Sequence, residues 1–151
     1  MDKALNDREI AVELRVAIAR LVKLMRRETN NDENLSLTER SVLGALYTHT
    51  ALLPSELAAM EKITAQSISQ IINKLDKCGY INKKASADDK RKVIITISAT
   101  GKKIVSEKRQ EKQEWLAHAI SNNLTAKEKK VLTETIDVLK KLVDTQTTDT
   151  L

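Results

Sequence analysis

The sequence predicts a mainly helical fold with one small β-hairpin, and three observations carry that expectation. Three Gly and one Pro are the only strong breakers in 151 residues, so long helices are expected. Apolar residues recur at helical spacing through most of the chain. One stretch, from Tyr80 to Ile97, instead alternates in apolar character around a polar tip rich in cations.

Composition narrows the field. The hydrophobic content of 41% is carried by aliphatic residues, with aromatics at 2% and no Phe. A chain of this length supports one ordinary domain with a core. The net charge of +5 favours an acidic partner such as nucleic acid. No apolar run approaches the roughly 20 residues needed to span a bilayer. MDKALNDREI has no signal-peptide core, so a cytoplasmic protein is expected. Cys78 is the single cysteine, which rules out an intrachain disulfide.

Taken in order, Asp7 to Thr29 places Ile10, Leu14, Ile18, Leu21 and Met25 on one face, with Val22 beside it. This is an amphipathic helix whose basic end, Lys23, Arg26 and Arg27, complements the macrodipole. Asn30 to Asn34 reads as a loop. Thr38 caps the next helix with a Leu37–Val42 staple, or Ser36 does so in a capping box with Glu39. Leu43, Leu46 and Tyr47 are expected to face inward, and His49 to lie at the surface or at the cap.

Pro54 stands where a helix begins, the turn it tolerates best. Leu57, Ala58 and Met60 supply that short helix's buried side. Glu61 and Lys62 make a turn, Thr64 caps a second helix with Ile63 and Ile68 as staple, and Gly79 ends it. Ile68, Ile71, Ile72 and Leu75 form its apolar stripe. At about 100° per residue, Gln66, Gln70, Asn73 and Lys77 point away from that stripe. Amides there can read base edges in a major groove. Cys78 follows the stripe and is expected to be buried as a small hydrophobe.

Helix, tight turn and helix make a helix-turn-helix. After Gly79, an extended run from Tyr80-Ile81 and a strand through Val93, Ile95 and Ile97 flank a tip with a surplus of lysines. A basic hairpin joined to a helix-turn-helix makes a winged helix. Ser98 or Thr100 then starts a long helix in which Ile104 and Val105 pack on the winged region. Trp115, Leu116, Ala119 and Ile120 pack elsewhere, and the intervening SEKRQEKQE is polar, as a solvent-bridging connector requires. Thr125 and Glu128 box the last helix, whose stripe is Val131, Leu132, Ile136, Leu139, Leu142 and Val143. The tail TQTTDTL is expected to fray.

Chemistry beyond binding is not indicated. The sequence has no Gly-rich phosphate loop, no nucleophile motif and no metal cluster. His49 and His118 lie far apart without a Cys pair. Neither an enzyme, nor a metal, nor a cofactor is expected.

On several segments the chain resembles the MarR family of bacterial transcription regulators. These are Leu37-Thr38-Glu39, Glu56-Leu57-Ala58, Thr64 to Leu75, Leu75 to Ile81, and above all Asp89-Lys90-Arg91-Lys92-Val93-Ile94-Ile95-Thr96-Ile97-Ser98. The resemblance implies that Arg91 enters the minor groove. Asp89, two residues earlier on the same side of an extended chain, can hold its guanidinium. Leu53 stands where the family often has Thr, with Ser55 as a substitute phosphate contact. Gln70 stands where a basic residue is frequent, which shifts readout toward amides.

The resemblance also implies a two-fold homodimer. Residues 1–30 and 99–146 form its dimerisation helices, 31–98 the winged DNA-binding region and 147–151 a tail. Intramolecular packing into a lopsided monomer is the alternative. Two recognition helices about one DNA turn apart favour the dimer, since they can read a palindrome. Expected base contacts are Gln66, Ser67, Gln70 and Asn73, and expected phosphate contacts are Ser55, Lys74, Lys83, Lys84, Lys90 and Lys92. A homodimeric repressor of a palindromic operator, released by a small effector, is the function implied. A winged protein–protein interaction module is the alternative. Arg15, Arg20, Tyr47, His49 and Trp115 are candidates for an effector pocket, each better explained as a surface or core side chain.

Overall fold

The computed structural model describes residues 4–29 and 34–147. In chain order these form α1 (Asp7–Thr29), α2 (Leu37–Thr48), α3 (Pro54–Glu61), α4 (Ala65–Lys77), β1 (Ile81–Ala85), β2 (Val93–Ile97), α5 (Ala99–Asn123) and α6 (Ala126–Thr147). The chain divides into two compact units, residues 1–112 and 113–151. The segment 30–33 and the end of the tail, 148–151, lie outside the described residues.

Helix α1 has the bounds that its periodicity predicts. Asn6 and Glu9 cap it reciprocally, the Glu9 amide donating to Asn6 Oδ1 at 3.0 Å and the Asn6 amide to Glu9 Oε2 at 2.9 Å. Its apolar face is open in the single chain, with Ile10, Ile18 and Leu21 between 45% and 47% exposed.

Of the two starts proposed for α2, the structure adopts Ser36. Its hydroxyl accepts from the Glu39 amide, and the Glu39 carboxylate accepts from the Ser36 amide at 2.8 Å. A cap at Thr38 would leave Glu39 too near the start to reach back. Val42, Leu43 and Leu46 are fully buried, but Tyr47 is 38% exposed, contrary to the inward position expected for it. The tyrosine sits at the edge of the stripe, where the Arg109 guanidinium covers its ring at 4.3 Å from the centroid.

Pro54 opens α3, and the Leu53 amide before it is satisfied by the Glu56 carboxylate at 2.7 Å. Leu57 is buried, whereas Met60 is 48% exposed, a second departure from expectation. At about 100° per residue Met60 lies about 110° from the midline of Leu57 and Ala58, past the edge of the buried face. Glu61 occupies the inward side instead and accepts from the Ser41 hydroxyl at 2.7 Å. Lys62 then turns the chain in the left-handed region, φ 54° and ψ 44°. The Ile63 amide closes back on the Ala58 carbonyl at 3.0 Å.

Thr64 caps α4, its hydroxyl accepting from the Ser67 amide. Ile68, Ile72 and Leu75 enter the core, with Ile71 and Ile63 packed beside it. Gly79 at φ 73° reverses the chain, and the Tyr80 amide closes on the Leu75 carbonyl at 3.0 Å. Cys78 is exposed, not buried. The helix stops one residue before it, so the apolar periodicity no longer dictates where its side chain points.

β1 and β2 pair antiparallel, with Ile81 opposite Ile97, Lys83 opposite Ile95 and Ala85 opposite Val93. Ile81, Ile95 and Ile97 face the core. Leu52 adds a bridge on the far side of β2, exchanging two backbone hydrogen bonds with Ile95. The sequence reading did not include this third edge. Ser98, not Thr100, begins α5: its hydroxyl accepts from the Gly101 amide at 3.0 Å and donates to the Gly79 carbonyl at 2.6 Å.

In the second unit, Thr125 and Glu128 form the expected capping box. The two bonds from Thr125, from its amide and its hydroxyl, hold the Glu128 carboxyl below its ordinary pKa. The stripe of α6 is open in the single chain, with Val131 at 55% and Leu142 at 56% exposed.

Candidate nucleic-acid interface

Helix α4 has two faces with different fates. With Ile68, Ile72 and Leu75 sealed in the core, the opposite side must face solvent. Gln66, Gln70, Asn73 and Lys77 are all exposed there. Ser69 joins them, three residues after Gln66, a position that helical spacing marks but that the sequence reading passed over. Ser67 differs from the rest of its set. It is half-buried, and its hydroxyl lies 2.9 Å from that of Thr64 within the cap.

The hairpin carries Arg91 in the same unit as this helix. The turn closes through the Ser86 amide on the Lys92 carbonyl, at 2.8 Å, and the Lys92 amide on the Asp89 carbonyl, at 2.9 Å. One Asp89 oxygen accepts both from the Arg91 backbone amide at 3.0 Å and from its guanidinium Nε at 3.3 Å. The carboxylate thus fixes the base of a side chain whose far end is free, 92% exposed. Lys84, Lys90 and Lys92 surround it, also exposed.

Two lysines expected on phosphates are engaged within the protein. Lys74 donates to Glu39 Oε2 at 2.8 Å. Burial alone would raise the Glu39 carboxyl, but the hydrogen bonds and charge of Lys74, together with the bonds from Ser36, outweigh it and hold the pKa below its ordinary value. Lys83 lies 3.1 Å from Asn73 Oδ1 and 3.1 Å from Asp76 Oδ2. Register explains its direction: Lys83 shares the face of Ile81 and of its partner Ile95, which is the face turned to the core and α4. Ser55 is exposed at the start of α3.

The candidates for an effector pocket fall in both units. Arg15, Arg20 and His49 are exposed, Tyr47 is covered by Arg109, and Trp115 is half-buried in the second unit. Among the described residues, no helix is long and apolar enough to cross a membrane.

Comparison with known proteins agrees with this arrangement. The MarR family profile matches residues 33–92, which hold α2 to α4, β1 and the tip of the hairpin. An uncharacterised HTH-type transcriptional regulator of Mycobacterium bovis is 30% identical over 139 residues, 92% of this chain and 96% of its own. Among solved structures, a candidate transcriptional regulator from Pseudomonas aeruginosa is 25% identical with a TM-score of 0.80, covering 93% of this chain and 98% of that one. A variant of the Staphylococcus aureus regulator MepR, solved bound to an oligodeoxyribonucleotide, is 17% identical with a TM-score of 0.68, covering 89% and 97%. With a helix-turn-helix, a wing and relatives matched end to end, this chain belongs to the MarR family of winged helix-turn-helix transcriptional regulators.

Proposed function

We propose that two copies of the chain act in the cytoplasm as a repressor of a palindromic operator, released when a small effector binds. The single observation behind this reading is the exposed amide row of Gln66, Gln70 and Asn73 on α4, accompanied by the exposed guanidinium of Arg91. The amides read base edges from the major groove. Arg91 enters the narrower minor groove, which a flat, weakly hydrated guanidinium suits better than an ammonium. Lys84, Lys90, Lys92 and Ser55 supply contacts to phosphate, which set affinity and register.

The open apolar faces of α1 and α6 support the dimer, since a soluble monomer rarely leaves such stripes uncovered. The oligonucleotide-bound MepR variant supports DNA as the ligand of the fold. An effector that fits only one spacing of the two recognition helices would shift the population away from DNA.

Titration of a duplex at increasing salt tests the reading. Specific binding should weaken with a log–log slope of about −0.9 per phosphate neutralised. Binding by a protein-interaction module would show no such slope and no preference among duplexes. Sedimentation at micromolar concentration should give twice the chain mass.

A further inference from the structure

Lys83 is the only ammonium among the described residues that bridges the wing strand to the exposed face of α4. We infer that it is a positioning residue for DNA readout, holding Asn73 so that this position reads guanine and rejects adenine. The inference rests on the DNA-reading role proposed above for α4 and names the base that one of its side chains selects.

An ammonium has three donors and no acceptor. The Asn73 group that meets it at 3.1 Å is therefore the amide oxygen, and the amide nitrogen is turned the other way. An Asn side chain normally offers both a donor and an acceptor, which is how it pairs with adenine through N7 and N6. With its oxygen turned to Lys83, Asn73 presents its amide nitrogen, a donor, on the side away from the wing. Guanine presents two adjacent acceptors, N7 and O6, where adenine replaces the second with a donor. An amide that leads with its NH2 donors suits both guanine acceptors but only one of the two adenine positions.

Several features keep Lys83 in this role. Strand alternation aims it at α4, because Ile81 and Lys83 share a face and Ile81 is buried. Asp76 holds the same ammonium at 3.1 Å. That carboxylate sits in the last turn of α4, where the helix dipole disfavours an anion and a cation relieves it. The Lys83 side chain is only 34% exposed, against 92% for Arg91.

Selection of binding sites from a randomised duplex pool, followed by affinities on single-base variants, tests the inference. The full-length protein is compared with Lys83→Met, Lys83→Arg and Asn73→Ala. Lys83→Met keeps the aliphatic stem and removes the donor. Wild type should prefer guanine over adenine at one symmetry-related pair of positions by about tenfold, within the range of a good base contact. Asn73→Ala should erase that preference. Lys83→Met should bring guanine and adenine within about threefold at the same positions and leave the others unchanged, and Lys83→Arg should restore the preference.

A uniform loss across all sequences in Lys83→Met, with a salt slope smaller by about 0.9, would mark Lys83 as a phosphate contact and overturn the inference. So would a preference for adenine in wild type at the position that Asn73→Ala alters, or an unchanged motif in Asn73→Ala. Failure of wild type to select any motif would instead bring down the DNA-reading role of α4, and this inference with it.

Discussion

The Lys74 ammonium of α4 donates to the Glu39 carboxylate at 2.8 Å, across 35 positions of sequence. The same Glu39 oxygen accepts the Ser36 amide, also at 2.8 Å. One buried carboxylate thus closes the first turn of α2 and fastens it to the helix that carries the exposed amides. Its position explains why a lysine expected on DNA is paired within the protein instead.

This relationship makes stability depend on acid. The Glu39 carboxyl has a folded-state pKa below the ordinary 4.5. Its contribution is therefore complete above that value and is lost as pH falls through the folded-state pKa. Glu39→Gln should lower stability at pH 7 by about 1–2 kcal/mol, with the half-exposed Lys74 limiting the effect. Urea unfolding at fixed protein concentration should show that gap narrowing as the pH falls below 4.5 and through the folded-state pKa. A gap constant with pH would mean that charge is not what Glu39 contributes.

Arg91→Ala should weaken operator binding at least tenfold, about 1.4 kcal/mol. Because the guanidinium is 92% exposed, the thermal midpoint should stay nearly unchanged, as for other surface substitutions. Asp89→Asn should weaken binding less, since it removes the charge that steadies the arginine and leaves the arginine itself in place. Equal affinity of wild type and Arg91→Ala at matched salt would remove the wing from the DNA-contacting surface.

The same substitution should have opposite signs at two helical glycines. Around Gly44 a new Cβ meets nothing within 4 Å, so Gly44→Ala should stabilise by about 1 kcal/mol through helix propensity. At Gly101 the Cβ would collide with the Tyr80 carbonyl oxygen and sit 2.8 Å from Ile97 Cγ1. Gly101→Ala should therefore destabilise by about 1–3 kcal/mol, more than propensity returns. Denaturant midpoints of the two variants, measured side by side, decide the matter.

Lys62 is the only non-glycine residue with positive φ among the described residues. The left-handed region costs an L-residue on the order of 1 kcal/mol. Lys62→Gly should raise stability by up to about that amount, and Lys62→Ile, branched at Cβ, should lower it. Calorimetry in which Lys62→Ile matched wild type would show that the turn relaxes without penalty.

Much of the fold was legible because it follows local rules. The bounds of α1, the apolar stripe of α4 and the Gly79 stop all come from spacing and turn chemistry within a few residues. Ser36 and Thr38 could not be separated by that means, since both are good caps, and only the return bond from Glu39 decides. Met60, Tyr47 and Cys78 were misplaced for one reason: each sits at the edge or just past the end of a periodic run, where the pattern ceases to constrain direction. The pairings of Lys74 with Glu39 and of Lys83 with Asn73 were out of reach. A lysine at the surface reads the same whether its ammonium meets water, phosphate or a distant carboxylate. Only for Lys83 did the sequence hold a hint, in its place two residues after the inward Ile81.

At the base of the hairpin, Ser98 donates its hydroxyl to the Gly79 carbonyl and its amide to the Tyr80 carbonyl, while Gly101 lies against Tyr80 and Ile97 without room for a methyl group. The opening turn of α5 is thereby pinned to the turn that ends α4. A shift of that turn would have to carry the Gly79–Tyr80 backbone with it.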